Sequence, residues 1–335
     1  MTPSSTPFWP KGVPRTLSLP QVPLTHYVQV AAERYPNKPA VIFCGSTLSY
    51  AALLARVEAL AGYLTQRVGV QRGDRVLLMS QNCPQYVAAY YGIMRAGAVV
   101  VPVNAMCTQS EIRYYLQDSG ARVAMVAQEL LPQVMPLLQA LNADANADAL
   151  QAVMVHAYSE GLPAQPASDE VTDVVLAPRR WPEAPGLHGL EDAIAQALPA
   201  PAEHPHSDDL CVLPYTSGTT GHPKGCCHTH TSVLASNIAS QVWRGLHADA
   251  VFLCVAPLFH MLGMQNGMNM PLTLGGTMVM MPRWDAARAV ALVERYRVTI
   301  WTAPPAMVID FFAQPTAHTS DLSSLALLSG GGAAM

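Results

Sequence analysis

The residues best suited to chemistry lie in one segment, Tyr215-Thr-Ser-Gly-Thr-Thr-Gly-His-Pro-Lys-Gly225, where three glycines, four aliphatic hydroxyls and one lysine fall within eleven positions. Each type has a use at a phosphate chain. Gly218 and Gly221 let the backbone turn and come close to a ligand, and the amides exposed by such a turn form a concave anion nest. Thr216, Ser217, Thr219 and Thr220 can donate hydroxyl hydrogens, and Lys224 supplies a mobile positive charge. The order differs from the ordinary phosphate loop of nucleotide hydrolases, which needs Gly-Lys followed by Ser or Thr. Here Pro223 precedes the lysine and Gly225 follows it. That order argues against a kinase-like NTPase, a class that would hydrolyse ATP without a second substrate. Taken alone, the segment also fits a surface turn with no ligand. Lysine is scarce elsewhere: among 19 basic residues only Lys11, Lys38 and Lys224 are lysines.

Four other groups call for an assignment. His260 closes the run Ala256-Pro-Leu-Phe-His260, and a lone histidine beside a phenylalanine is by itself as compatible with a helix cap or a core position as with chemistry. Gly330-Gly331-Gly332-Ala333-Ala334 follows the apolar run Leu325 to Leu328, and a Gly-rich turn after a strand is where open α/β sheets place ligands. Seven of the 16 methionines lie between Met261 and Met281. With His260, Met261, Gly263 and Met264 at its start, this region would line an adaptable apolar pocket, although ordinary core packing gives the same pattern. His228-Thr-His230 has the look of a metal pair, yet no third ligand is spaced to complete it, so no metal site is assigned.

The elements that must position these groups read as alternating strands and helices, the signature of βαβ units and a mainly parallel sheet. Strands are predicted at Ala40 to Phe43, Arg75 to Met79, Ala98 to Val103 and Arg122 to Val126, then at Leu210 to Pro214, Val251 to Val255, Thr277 to Met281 and Val298 to Trp301. Ser49 and Asp285 stand where N-caps are expected, each before a helix with one apolar face. Pro84 to Ala96 and Ser110 to Gln117 read as helices that stop at Gly97 and Gly120. Residues 1–20 form a Pro-rich leader. From about 142 to 206 periodicity fades, and Pro, Ala and Asp accumulate in what reads as an irregular excursion.

Half the residues are apolar and 13% are charged, a composition for a large buried core rather than a disordered chain. A net charge of -4 with no basic run predicts no attraction to nucleic acid or anionic lipid, so any phosphate must be bound locally. Seven cysteines without a Cys-x-x-Cys pair argue against a disulfide framework and fit a reducing cytoplasm. No signal peptide and no 18-residue uncharged apolar stretch is present, so no transmembrane segment is expected. Nothing in the sequence sets the oligomeric state.

The segment from Thr216 to Gly225 resembles the signature loop of the adenylate-forming (AMP-binding) superfamily, which includes acyl-CoA synthetases, aryl-CoA ligases, luciferases and peptide-synthetase adenylation domains. Thr47-Leu-Ser-Tyr50, Gly73-Asp-Arg-Val76, Gly97-Ala-Val-Val-Val-Pro-Val-Asn104 and Asp118-Ser-Gly-Ala121 resemble stretches that recur there in this order. The likeness runs from about residue 24 to 335 and implies an α/β fold of layered, mainly parallel sheets flanked by helices. It further implies that Thr216, Ser217, Gly218, Thr219, Thr220, Gly221 and Lys224 hold the triphosphate of ATP and that Gly330, Gly331, Gly332 and Ala333 begin the adenine loop. By the same likeness His260 lies beside the acyl carboxylate, and His260 and Lys224 are the candidate catalytic residues. The expected reaction joins a carboxylic acid, most simply a medium- or long-chain fatty acid, to coenzyme A through an acyl-adenylate, with ATP and Mg²⁺. An aryl acid is the second choice, and a non-catalytic nucleotide-binding relic the alternative from another class. The family also uses a Tyr-Gly-x-Thr-Glu segment, a ribose-binding aspartate and a lysine on a mobile C-terminal domain. None is found in this sequence, so the expectation is an incomplete N-terminal domain over 21–335 that does not turn over by itself.

Overall fold

The computed structural model describes residues 9–138, 149–163, 166, 170–216 and 222–331. Helix α1 (Leu24–Arg34) precedes the hairpin β1 (Pro39–Phe43) and β2 (Ser46–Ser49), and α2 (Tyr50–Tyr63) follows. Strict alternation then runs through β3 (Arg75–Met79), α3 (Pro84–Arg95), β4 (Val99–Pro102), α4 (Gln109–Ser119) and β5 (Val123–Ala127). A short α5 (Leu131–Val134) leads on to β6 (Ala152–His156), α6 (Asp173–Leu176), β7 (Leu187–Gly189) and α7 (Leu190–Ala195). The candidate phosphate segment sits among β8 (Leu210–Val212), β9 (Tyr215–Thr216), β10 (Lys224–Gly225), β11 (His228–Thr229) and α8 (His230–Arg244). After β12 (Val251–Cys254), a π-helical stretch at Gly263–Asn269 continues as α9 (Met270–Leu274). Then come β13 (Thr277–Met280), α10 (Ala286–Arg295), β14 (Ile300–Ala303), α11 (Pro305–Phe312) and β15 (Leu327–Gly330).

Local chemistry explains the main boundaries. The Ser49 side chain accepts the Ala52 amide and starts α2, whose Leu53, Val57, Leu60 and Ala61 are buried on one face. Asp285 does the same for α10 through the Arg288 amide, with Ala289, Val290, Leu292 and Val293 facing inward. Thr108 and Glu111 form a capping box at the start of α4, and Gly120 ends that helix at φ 67°, a left-handed position that a side chain would disfavour. Helix α3 is buried on every side, which fits its place between layers.

The strands assemble into two large sheets. One has the order β15-β14-β12-β13-β1-β2, parallel except for the β1–β2 hairpin, and the other has the order β11-β8-β4-β3-β5-β6-β7, parallel except for β11 against β8. The stretch 142–206, expected to be irregular, differs among its described residues: it adds β6 and β7 to the second sheet, with Val153 to Val155 in parallel register against both neighbours. All five β6 residues are buried. Their ladder partners come from β5 and β7, so the loss of local periodicity in the flanks concealed a strand that pairing makes.

At their carboxyl edges the sheets meet. Asn82, three positions past the end of β3, is buried; its Nδ2 donates to the Ala256 carbonyl at 3.1 Å, and its Oδ1 accepts the Leu258 amide at 2.9 Å. The turn that follows β12 is thus fastened to the turn that follows β3.

Candidate active site

The phosphate-type segment leaves the carboxyl end of β8 as a separate two-stranded ribbon, outside both large sheets. Thr216 pairs with Lys224 and Tyr215 with Gly225 in antiparallel register. Ser217, Gly218, Thr219, Thr220 and Gly221, the residues between these strands, lie outside the described residues. Thr216 and Lys224 are exposed, and no described residue forms an ion pair with the Lys224 ammonium.

The base of the ribbon is clamped to α4. The Tyr215 hydroxyl donates to Asp118 at 2.6 Å and the Tyr114 hydroxyl to the Pro223 carbonyl at 2.6 Å, while the Tyr114 ring stacks on His222 with centroids 5.0 Å apart. Tyr115 meets the Tyr215 ring edge-on at 4.7 Å, and the Cys226 amide closes the base on Pro214. Burial and the adjacent Asp118 push the Tyr215 phenol far above its ordinary range, so it remains a donor at any physiological pH. A Cβ on Gly225 would come within 3.1–3.3 Å of the Leu213 side chain and the Tyr215 ring, so one of them would have to shift slightly. Sequence reasoning missed this clamp. Its signal is the pair Tyr114-Tyr115 with Asp118 one helical turn on, a face that surface helices commonly show.

Beyond the ribbon, the Thr229 side chain caps α8 by accepting the Ser232 amide. His228 and His230, the pair to which no metal was assigned, serve the strand-to-helix entry. His230 is buried, and its Nδ1 accepts the Leu24 amide at the start of α1 at 3.1 Å. Burial pushes its pKa down to about 4, against an opposing effect of Asp209. A histidine kept neutral when folded but titrating near ~6.5 when unfolded contributes stability that is present above ~6.5 and lost as pH falls toward the folded value. Lowering the pH from 7 to 5 should therefore cost about 2 kcal/mol through His230. Urea melts at both pH values check this: His230→Asn, which keeps an acceptor without the titration, should show a smaller pH dependence, and an unchanged one would refute the assignment.

His260 stands in the turn after β12, exposed, with the Phe259 ring beside it at 4.7 Å. Its amide donates to the Pro257 carbonyl at 3.1 Å and its carbonyl accepts the Met264 amide at 2.9 Å, so its backbone is fixed by the turn that Asn82 holds. Of the four pocket candidates, His260 is open and Met261 half-buried, whereas Gly263 and Met264 are packed in the interior. Asn82→Ala would strand a buried carbonyl and a buried amide of this turn. The expected loss is about 2 kcal/mol of stability, read as a lower urea midpoint, and a wild-type midpoint would show that the turn holds without it.

Gly330 ends β15 beside Ala303 of β14, and exposed Gly331 follows with nothing within 4 Å of where a side chain would start. Gly332 and Ala333 lie outside the described residues. Strands β12, β14 and β15 are parallel neighbours, so the His260 turn and Gly330–Gly331 leave the same sheet edge. The ribbon carrying Lys224 leaves the carboxyl edge of the other sheet. The candidate groups thus come from the edges that converge at Asn82, the position where parallel α/β sheets bind ligands. Asn82 itself gave no signal in sequence, since its partners lie more than 170 residues away.

This arrangement of two mainly parallel sheets, with a Thr/Gly/Lys ribbon and a His-bearing turn at their carboxyl edges, is that of an adenylate-forming ligase N-terminal domain. The chain matches the AMP-binding enzyme family over residues 28–335 and belongs to that family. It is similar to the long-chain-fatty-acid–CoA ligase of Bacillus subtilis (strain 168), 28% identical over 333 residues that cover 98% of this chain and 58% of that protein. It is also similar to 4-coumarate–CoA ligase 2 of Oryza sativa subsp. japonica, 31% identical over 93% of this chain and 53% of the relative. Among solved structures, the inhibitor-bound N-terminal domain of FACL13 from Mycobacterium tuberculosis superposes with a TM-score of 0.74 at 26% identity, covering 94% of this chain and 71% of that one. The chain spans little more than half the length of the curated relatives it matches. Among the described residues no helix is long and apolar enough to cross a membrane.

Proposed function

We propose that this chain supplies the nucleotide- and acid-binding part of an AMP-forming acid–CoA ligase. The observation that carries the reading is the ribbon: Thr216 and Lys224 stand opposite each other, pinned at the base by Tyr114, Tyr115, Tyr215 and Asp118, and presented to solvent at a sheet edge. A carboxylate is a poor electrophile, and its attack on the α-phosphorus of ATP brings anion to anion. Catalysis then consists of holding and neutralising the triphosphate while placing the carboxylate. The hydroxyls and amides of 216–221 would cradle the phosphates, Lys224 would offset their charge, and His260 would orient the acid. Mg²⁺ would enter as the partner of ATP, held chiefly by phosphate oxygens. Coenzyme A would take the acyl group in the second half-reaction, releasing AMP. A medium- or long-chain fatty acid is the first substrate class, supported by the fatty-acid ligase likeness; an aryl acid is the second, supported by the 4-coumarate ligase likeness.

Calorimetric titration of the 335-residue protein with ATP·Mg²⁺ and with a non-hydrolysable acyl-adenylate analogue tests the reading. Heat with both is expected. Silence with both would leave a relic that has lost the site, and ATP hydrolysis without any acid would point to an NTPase instead.

A further inference from the structure

A cavity of about 190 Å³ opens where the carboxyl edges of the two sheets come together. Gln81, the neighbour of Asn82, forms part of its wall, and the turn Pro282–Asp285 after β13 forms another. One side is aromatic and rigid. The Trp284 ring stacks on the fully buried Trp301 with centroids 5.7 Å apart and planes 17° apart, and its indole N–H is donated to Asp310 at 2.7 Å. A ring held on one face and at one edge offers its remaining surface as a preformed flat platform.

Val174, 41% exposed on the four-residue helix α6, also lines the space, with Val175 and Pro282 adding apolar wall. An exposed valine lining the same cavity as a fixed indole is apolar surface open to a ligand. The rim carries two arginines and one acid. Arg283 is exposed and forms no ion pair with any described residue, and Arg288 also lines the space. The one acid there, Asp285, is occupied as the cap of α10, its Oδ1 accepting the Arg288 amide. Neither Lys224 nor His260 contributes to the lining.

We propose that this cavity is a binding site for a small aromatic carboxylate, its ring lying between Trp284 and Val174 and its carboxylate paired with Arg283. The volume admits a single ring with a short arm and excludes a long alkyl chain. Guanidinium and carboxylate match as a bidentate pair, which selects a carboxylate over an uncharged isostere. The proposal is independent of the ligase reading, since it uses none of the residues assigned to nucleotide or acid activation.

The test is NMR of the ¹⁵N-labelled 335-residue protein, following the Trp284 indole signal, assigned with Trp284→Phe, during titration with benzoate and with benzamide. Benzoate should shift that signal, and benzamide should bind at least tenfold more weakly. Arg283→Gln should weaken benzoate binding at least tenfold, Val174→Trp should fill the space and remove binding, and Lys224→Ala should leave it unchanged. No shift at Trp284, equal binding of benzamide, or an unaffected Arg283→Gln would each overturn the proposal. So would a loss in Lys224→Ala or in His260→Ala equal to that in Arg283→Gln, because the ligand would then occupy the phosphate-type site or the acid position beside His260.

Discussion

Lys224→Ala is expected to lower the affinity of the chain for ATP·Mg²⁺ roughly 100-fold, about 3 kcal/mol, the upper range for a hydrogen bond to a charged group. The argument starts from what the ammonium does in the free protein. It sits exposed on a strand of two residues, and no described residue forms an ion pair with it, so removing it disturbs no described ion pair. Its expected role lies wholly in the complex. Stability in urea should stay within about 0.5 kcal/mol of wild type, as for surface substitutions that break nothing. Lys224→Arg keeps the charge but spreads it over a planar fork, and should fall between the two in affinity. A Lys224→Ala protein that titrates with ATP like the wild type would remove the ammonium from the phosphate site.

A single methyl group at Gly263 should cost about 3 kcal/mol of stability, the upper part of the usual range for overpacking. Gly263 opens the π-helical stretch after the His260 turn and is buried. A Cβ there would overlap the carbonyl oxygens of Ala256 and Pro257. These are backbone atoms that cannot rotate aside, so the turn itself must move. That turn also holds both Asn82 bonds and the two backbone bonds of His260. The variant should therefore lose stability and misplace His260 together. Gly331→Ala, where a Cβ meets nothing within 4 Å, is the matched control and should melt like the wild type. Equal urea midpoints for Gly263→Ala and the wild type would mean that the turn is looser than its packing indicates.

How much of this was legible beforehand follows from the range of the interactions concerned. Ser49, Asp285, Gly97 and Gly120 act within four residues of where they stand, and the helices they bound were readable for that reason. Strands such as Arg75–Met79 and Val99–Pro102 are buried on both faces and announce themselves as continuous apolar runs. The layering into two sheets came from the family likeness and not from the residues alone, because strand order is decided by partners far along the chain. Ala152–His156 escaped for the same reason. The phosphate-type ribbon was legible as a composition of glycine, hydroxyl and lysine, but its clamp to Tyr114, Tyr115 and Asp118 was not, as these lie about 100 residues upstream. The methionine-rich stretch shows the limit of composition: Met264 and Met268 pack fully buried in the core, an environment that sequence alone does not distinguish from a ligand pocket.

The place of β1 beside β13 has a consequence for how the chain is made. Val41 finds its partner at Met278, and the Thr277 hydroxyl reaches the Pro39 carbonyl across 238 positions. At ~5–20 residues per second, a ribosome needs on the order of 10–50 s between the two. Throughout that interval Ala40, Val41 and Phe43, all destined for the interior, have only the short β2 as a sheet neighbour. The other large sheet draws every strand from residues before 230 and can close first. Synthesis thus delivers the two halves of the cleft in sequence, with the early hairpin exposed to chaperones or to misassociation until its late partner emerges.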